Sequence, residues 1–213
     1  MITVFGEGRG FRVVWLLEEM GLPHRLRPID LLASLEHEEE FLAINPAGFI
    51  PALQDGDVAM VESIAILEYL IARYGPTPLA PEARDPSFPL YQQFLHLGEA
   101  GLAMPINAVV ATQMLAPEAE QDNWTIRWAR QIFESRLGLV TRQLAQTPYV
   151  AGAAFTAADI SVVYGLLLAR RTGNARYGDL EEAYIDRVTR RDAYKRALDT
   201  CEATKAWAMA KGG

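Results

Sequence analysis

The chain has 213 residues, of which 50% are hydrophobic and 22% are charged, and its formal net charge at pH 7 is −7. This composition is that of a globular protein, and apolar residues spread along the whole length exclude an intrinsically disordered chain. The whole net charge lies in the first 78 residues, with 12 Asp and Glu against 5 Lys and Arg, so this part lacks the clustered cations of a nucleic-acid surface.

The chain is expected to be cytoplasmic. It begins with the strand-like run Met1–Phe5 and has neither the basic start nor the apolar core of a signal peptide. No stretch reaches the ~18–20 uncharged apolar residues of a membrane span. Cys201 is the single cysteine, so no internal disulfide can form, which fits a reducing compartment.

The first part of the chain alternates between strand and helix patterns. In chain order the predicted elements are strand 2–5, helix 11–20, strand 24–29, helix 36–44, strands 49–53 and 58–61, and helix 63–74. The two consecutive strands are joined by a segment containing Asp-Gly, which is a strong hairpin signal. The order β-α-β-α-β-β-α predicts an α/β unit with a mixed sheet.

A proline-rich segment marks the end of this unit. Five prolines between positions 76 and 89 cannot continue a helix or a central strand. Beyond them strand patterns vanish, and helical spacing of apolar residues covers 90–112, 123–146, 156–171 and 184–211. We therefore predict three parts, namely a domain over 1–77, a linker over 78–88 and an all-helical domain over 89–213.

Pro51 suggests a site for an extended peptide. Proline lies within a strand pattern only where the strand edge stays free, and a cis bond before it would turn the backbone groups of Ile50 outward. Those groups could pair with the backbone of a bound peptide. A proline at an ordinary strand start explains the same residues.

Glu62 and Ser63 suggest a site for an amino-acid head group. Serine favours a helix start, where the free amides of the first turn attract anions. A ligand carboxylate could bind the Ser63 amide and hydroxyl while Glu62 pairs with an ammonium group. The alternative is a capping serine preceded by a solvated acid.

Together these motifs resemble the thioredoxin-like domain of glutathione transferases. The similar segments are Asn45–Leu53 and Val61–Ile66, the first helix over Phe11–Pro23, and, in the helical part, Pro148–Gly152 followed by Phe155–Ser161. The resemblance covers nearly the whole chain. It implies an N-terminal thioredoxin-like domain followed by an all-helical glutathione-transferase C-terminal domain, with glutathione as co-substrate and no metal.

Thr156 and Asp159 lie in the last of these segments and are predicted to be structural. A Thr-x-x-Asp pattern before an apolar run is a reciprocal cap, which satisfies two backbone amides at a helix start. We expect replacement of Asp159 to lower stability without a direct effect on chemistry.

The resemblance implies an enzyme that activates the glutathione thiol. A free thiol with a pKa of ~8.5 is mostly protonated at neutral pH, although the thiolate is the nucleophile. Serine-type relatives carry a hydroxyl directly before the Phe-Arg-Val of the first helix, and Gly10 stands there in this chain. Catalytic stabilisation of the thiolate is therefore expected from the amides of Gly10 and Phe11, from Arg9 or Arg12, or from the helical domain. A solvated loop residue is the alternative for Arg9, and a structural ion pair for Arg12.

The remaining site residues are also implied by the resemblance. The predicted glutathione-binding residues are Ile50, Pro51, Glu62, Ser63, Phe49 and His37. Phe49 replaces a Lys or other polar residue of many relatives, and an exposed helical residue is the alternative for His37. The electrophile pocket is predicted to include Met104 and Asn107, with Leu97, Leu102, Val110, Trp124 and Tyr164 as further candidates that core packing also explains.

The predicted function is a glutathione transferase, whose bound thiolate attacks small hydrophobic electrophiles in detoxification or reduces peroxides. Isomerase and dehalogenase chemistry stay open. The alternative is a non-catalytic glutathione-binding or protein-interaction module, which Gly10 and Phe49 favour. A disulfide oxidoreductase is excluded because the first helix has no cysteine, and Cys201, beside acidic neighbours, is predicted to have a raised pKa. The resemblance implies a homodimer, and no nucleic-acid or membrane partner is expected.

Overall fold

The computed structural model describes residues 1–31 and 33–203, which fall into two compact units. One unit comprises Met1–Thr77 together with the segment that begins at Arg190, and the other comprises Pro78–Thr189. The segment from Arg190, which the sequence pattern assigns to the helical domain, therefore packs with the first unit. Residues 204–211 of the predicted helical stretch lie outside the described residues.

The first unit contains a four-stranded sheet. Its elements are β1 (Ile2–Phe5), α1 (Gly10–Met20), β2 (His24–Arg27), a 3-10 helix (Leu35–His37), α2 (Glu39–Ile44), β3 (Ala52–Asp55), β4 (Val58–Val61) and α3 (Ser63–Tyr74). The strand order is β2-β1-β3-β4, with β1 parallel to β2 and the other pairs antiparallel. The predicted element order and mixed sheet are thus confirmed. Pro51 precedes β3 rather than lying within it, and its bond to Ile50 is cis.

The second unit is helical throughout the elements that the structure describes. They are α4 (Phe88–Leu97), a π-helical turn (Gly98–Ala103), α5 (Met104–Leu115), a 3-10 helix (Glu118–Glu120), α6 (Trp124–Leu144), α7 (Ala157–Arg171) and α8 (Asp179–Thr189). By length and composition, Phe88–Leu115 could cross a membrane, and it is the one such helical run in the described part of the chain. Half of its apolar window is buried inside the protein.

The π-helical turn allows a close crossing with α7. A Cβ atom on Gly98 would lie 2.3 Å from the Ser161 Oγ, so no other residue fits at this crossing. The Ser161 hydroxyl donates to the Leu95 carbonyl at 2.7 Å. This bond links α7 to the end of α4, directly before the π-helical turn.

The start of α7 is organised around Asp159, which is fully buried. Its carboxylate accepts hydrogen bonds from the amides of Val150 (3.0 Å) and Thr156 (2.8 Å) and from the Tyr184 hydroxyl (2.8 Å). The predicted capping box with Thr156 is confirmed. Burial raises the pKa of Asp159 to about 6, although the donors around it favour the charged form.

A ninth helix, α9 (Asp192–Thr200), closes the first unit against α1. The Tyr194 ring lies edge-on to Phe11 and Trp15, at centroid distances of 5.6 and 4.9 Å. Arg191 forms a bidentate ion pair with Glu19, at 2.6 and 2.7 Å. The helical stretch predicted over 184–211 is wrong as a single helix, since α8 ends at Thr189 and α9 begins at Asp192.

Candidate functional site

The glycine-rich loop before α1 contacts the Ile50–Pro51 segment. A Cβ on Gly6, whose φ is 81°, would lie 2.2 Å from Cγ2 of Ile50, so this side chain covers the Gly6 backbone directly. A Cβ on Gly10 would lie 3.3 Å from Cβ of Pro51. The predicted catalytic loop and the predicted peptide-binding segment are therefore neighbours, although they are about 40 residues apart in sequence.

A hydrogen bond from Arg12 links the start of α3 to α1, close to the glycine-rich loop. Its Nη2 donates to the Ser63 Oγ at 2.6 Å, across 51 residues of sequence. Both residues are buried, with 0% of Arg12 and 2% of Ser63 exposed. Since Arg12 lies two residues after Gly10 on α1, the helix fixes Ser63 relative to the loop.

Glu62 is held in an unusual backbone conformation. It has a φ of 70° and is the one non-glycine residue at positive φ among those the structure describes. Such a conformation costs about 1–3 kcal/mol and persists only where the surrounding structure imposes it. Glu62 is exposed and directly precedes Ser63, the first residue of α3.

Asn45 organises the loop before Pro51 and was not among the predicted site residues. It is 3% exposed, its Nδ2 donates to the Phe49 carbonyl at 2.6 Å, and its Oδ1 accepts from the Ala47 amide at 3.2 Å. The sequence signal was the Asn-Pro-Ala-Gly turn, in which asparagine side chains commonly bond the backbone two residues on. The Phe49 side chain projects from this loop and is 38% exposed.

The predicted thiolate donors differ in what they already contact. The Gly10 amide donates to the Glu7 carbonyl at 2.9 Å, and the Phe11 amide donates to the Gly8 carbonyl at 3.1 Å. Either amide would have to share or break that bond to stabilise a thiolate. The guanidinium of Arg12 is directed to Ser63. The side chain of Arg9 is half-buried in the loop. A role for any of these residues in stabilising the thiolate stays a prediction.

His37 lies apart from the residues above. It is exposed at the end of the short 3-10 helix. The segment next to it is fixed by Arg27, whose Nη2 bonds Glu38 at 2.9 Å and whose Nη1 bonds Glu40. Among the described residues no contact joins His37 to Pro51 or Ser63, and its binding role stays a prediction.

The predicted electrophile-pocket residues belong to the second unit. Met104 is 55% exposed, and the exposed Asn107 follows it by three residues on the same side of α5. Leu102 is fully buried, so core packing explains it. Trp124 is 68% exposed and stacks on Trp128 with centroids 5.7 Å apart. A pocket role for Met104 and Asn107 stays a prediction.

Cys201 is buried at the end of α9, where burial and then the negative charge of Glu7 raise its pKa. The predicted direction is confirmed, but the expected cause, the neighbouring acids in sequence, is wrong. The backbone amide of Ala203 also donates to Glu7 Oε1, at 3.2 Å. Glu7 of the glycine-rich loop therefore contacts the segment that follows α9.

No group of three or more side chains suited to a metal ion occurs among the residues that the structure describes. The arrangement in the first unit instead offers backbone groups at Ile50, a helix start at Ser63 and a carboxylate at Glu62. These groups can bind, in order, a peptide backbone, an anion and a cation. A short acidic peptide with a free amino group presents all three.

Comparisons with known proteins agree with this geometry. Residues 10–73 match the family model described as glutathione S-transferase, N-terminal domain. Glutathione S-transferase 3 of Schizosaccharomyces pombe is 28% identical over 76% of this chain and 71% of its own length. Glutathione S-transferase 3 of Zea mays is 31% identical over 70% of this chain and 68% of its own.

The similarity extends to solved structures. The theta class glutathione S-transferase from the citrus canker pathogen Xanthomonas axonopodis pv. citri, solved with glutathione bound, superposes with a TM-score of 0.77 at 27% identity. The match covers 92% of this chain and 96% of that one, which confirms the predicted fold class across both units. The chain belongs to the glutathione S-transferase family.

Proposed function

We propose that this glutathione transferase binds glutathione in its first unit and directs the glutathione thiolate at small hydrophobic electrophiles. The observation that supports the proposal is the convergence of three distant segments. Ile50 lies on Gly6, Gly10 lies beside Pro51, and Arg12 bonds Ser63. The comparisons favour an enzyme over a non-catalytic module with the same fold.

In this proposal each end of glutathione has its own partner. The γ-glutamyl carboxylate binds the amide and hydroxyl of Ser63, where the dipole of α3 favours an anion. Glu62 pairs with the ammonium group of the same residue. The backbone of Ile50 pairs with the cysteinyl residue, and Phe49 and His37 lie toward the glycyl end.

The chemical step is a nucleophilic displacement. The thiol loses its proton to solvent, and the sulfur lone pair forms a bond to the electrophilic carbon. The leaving group departs with the bonding electrons, as chloride does from an aryl chloride. Arg9 stabilises the thiolate, because a fixed positive charge within ~4–6 Å lowers a thiol pKa.

The remaining parts of the proposal concern the surroundings of this site. Met104 and Asn107 of the helical unit contribute to the electrophile pocket. The protein works as a cytoplasmic homodimer, as the family resemblance implies. Gel filtration at two protein concentrations tests the oligomeric state.

Calorimetry with glutathione and a rate assay with a model aryl chloride test the function together. We expect binding, a conjugation rate above that of buffer, and a loss of about tenfold in binding for Ser63→Ala because a bond to a charged group is removed. Arg9→Met is expected to retain binding and lose rate. The matched control is Arg130→Met, which removes a charge from α6 in the other unit. Binding without any rate would contradict the catalytic part, and no binding would contradict both parts.

A further inference from the structure

The side chain that contacts Ser63 at the N-terminus of α3 is the positively charged Arg12, whereas helix N-termini usually have negatively charged side chains beside them. Helix N-termini carry a partial positive charge and are stabilised by acids, not by cations. The start of α7 follows this rule with the buried Asp159. The start of α3 departs from it, because a buried guanidinium lies 2.6 Å from the hydroxyl of its first residue. The arrangement adds positive potential where the helix already supplies some.

The hydrogen-bond chemistry of the pair fixes the role of the serine. A guanidinium has only donors, so the Ser63 oxygen accepts the bond from Arg12. The single hydroxyl proton of Ser63 must then point to a different acceptor. Because only 2% of Ser63 is exposed, an acceptor from outside the protein can reach this proton from few positions. A carboxylate, which can only accept, matches a hydroxyl held as a donor.

The neighbouring charge explains why a cation is needed there. Glu62 directly precedes Ser63, and its carboxylate would repel an approaching anion. Arg12 offsets that repulsion from the buried side, where screening by solvent is weakest. The site thereby attracts an anion to Ser63 while Glu62 remains free to attract an ammonium group.

We infer that Arg12 is a positioning residue, which holds the Ser63 hydroxyl as a donor and thereby selects a carboxylate as the group bound at the start of α3. The inference rests on the proposed function, since it concerns the same glutathione site. It assigns to Arg12 a part in ligand selectivity that lies beyond its packing on α1.

Two ligands and a mutant cycle test this role. The ligands are S-methyl glutathione and its analogue in which the γ-glutamyl α-carboxylate is an amide. Calorimetry on the full chain compares wild type, Arg12→Met, Ser63→Ala and the double variant. The matched control is Leu17→Ala, which truncates a buried side chain of the same helix. Thermal melting of each protein separates loss of fold from loss of selectivity.

We expect wild type to prefer the carboxylate ligand, and Arg12→Met to lose about tenfold in affinity for it with little change for the amide. In the Ser63→Ala background, Arg12→Met should change the affinity less than twofold, because its effect passes through the hydroxyl. Leu17→Ala should melt at a lower temperature and keep the wild-type preference.

An equal loss for both ligands, or an undiminished effect in the Ser63→Ala background, would overturn the inference alone. Wild type that binds neither ligand, or binds both equally, would overturn the proposed carboxylate site as well. If Arg12→Met does not fold, Arg12→Lys replaces it. The ammonium group of the lysine cannot reproduce the planar donor geometry of a guanidinium, so the preference for the carboxylate ligand over the amide ligand should fall at least threefold. An unchanged preference would contradict the inference.

Discussion

Two helix starts in this protein carry buried charges of opposite sign. Asp159 at the start of α7 accepts hydrogen bonds from two backbone amides and a tyrosine hydroxyl, which are all parts of its own unit. At the start of α3, the hydroxyl oxygen of Ser63 accepts a hydrogen bond from Arg12, which lies on α1. The first arrangement is completed by the chain itself, whereas we expect the second to be completed by a ligand. We therefore expect the buried charge at α7 to contribute to stability and the buried charge at α3 to contribute to binding.

The largest expected effect is a loss of stability when Asp159 at the start of α7 is replaced. Asp159→Ala removes the acceptor of several buried donors, and breaking such a network costs about 3–5 kcal/mol. Urea unfolding measures the loss. Glutathione affinity per folded molecule should not change, because Asp159 serves only its own unit. Asp122→Asn is the control, since its ion pair with Arg127 is exposed and should contribute less than about 1 kcal/mol. A loss for Asp159→Ala no larger than the control would contradict the comparison.

The pH dependence of stability tests the same carboxylate. The pKa of Asp159 is about 6 in the folded chain against an ordinary 3.8, so the folded state binds its proton more tightly. The resulting stabilisation is fully present below pH 3.8 and is lost as pH rises through 6, by about 3 kcal/mol in total. Urea unfolding of wild type and of the non-titrating Asp159→Asn at pH 4–7 should show their difference moving in this direction. The opposite slope would mean that the donors outweigh burial.

A substitution at Ser63 should make α3 resemble α7. Ser63→Asp places an acid beside Arg12 and the α3 dipole, so the unfolding free energy of the ligand-free protein should rise by about 1 kcal/mol. Glutathione binding should fall at least tenfold because the acid occupies the place of the ligand carboxylate. Ser63→Asn is the uncharged control of the same size. If Ser63→Asp is less stable than Ser63→Asn, the expectation that an acid stabilises the start of α3 is contradicted.

The smallest effects on stability and on the bound thiolate are expected for substitutions of Gly10 at the start of α1. Gly10→Ala and Gly10→Ser both add a Cβ that meets Pro51 at 3.3 Å, and their stabilities should lie within about 1 kcal/mol of wild type. Serine alone adds a donor, so bound glutathione should show about threefold more thiolate than in Gly10→Ala. Ultraviolet absorbance of the bound thiol measures it. Equal absorbance for the two variants would indicate that another donor, such as Arg9, already stabilises the anion.

Local patterns predicted much of the fold. The alternation of strands and helices over residues 2–74 follows from apolar periodicity, and the Thr156–Asp159 cap lies within one helical turn. The break between α8 and α9 was missed, because no Gly or Pro interrupts the segment Thr189–Asp192 and apolar spacing continues past it. Periodicity alone does not reveal such a break.

The contacts that define the site are the part that the sequence could not supply. The bond from Arg12 to Ser63 spans 51 residues, and the charge that acts on Cys201 comes from Glu7, far away in the chain. Such pairs depend on how helices pack, which a pattern of spacing does not encode. The family motif pointed to Ser63 and Ile50, whereas Arg12 was predicted as a possible stabiliser of the thiolate or as an ion-pair partner, and its bond to Ser63 was not predicted.

The packing of α9 on α1 has a consequence for synthesis on the ribosome. Phe11 and Trp15 are buried in part by Tyr194, so the first unit cannot be complete until residues beyond 190 have emerged. By then every residue of Pro78–Thr189 has already been made. Domains usually fold from the N-terminus onward during translation. Here the unit that contains Met1–Thr77 is completed only after Pro78–Thr189 has been made, so the loop at Gly10 matures after the helical unit has been synthesised.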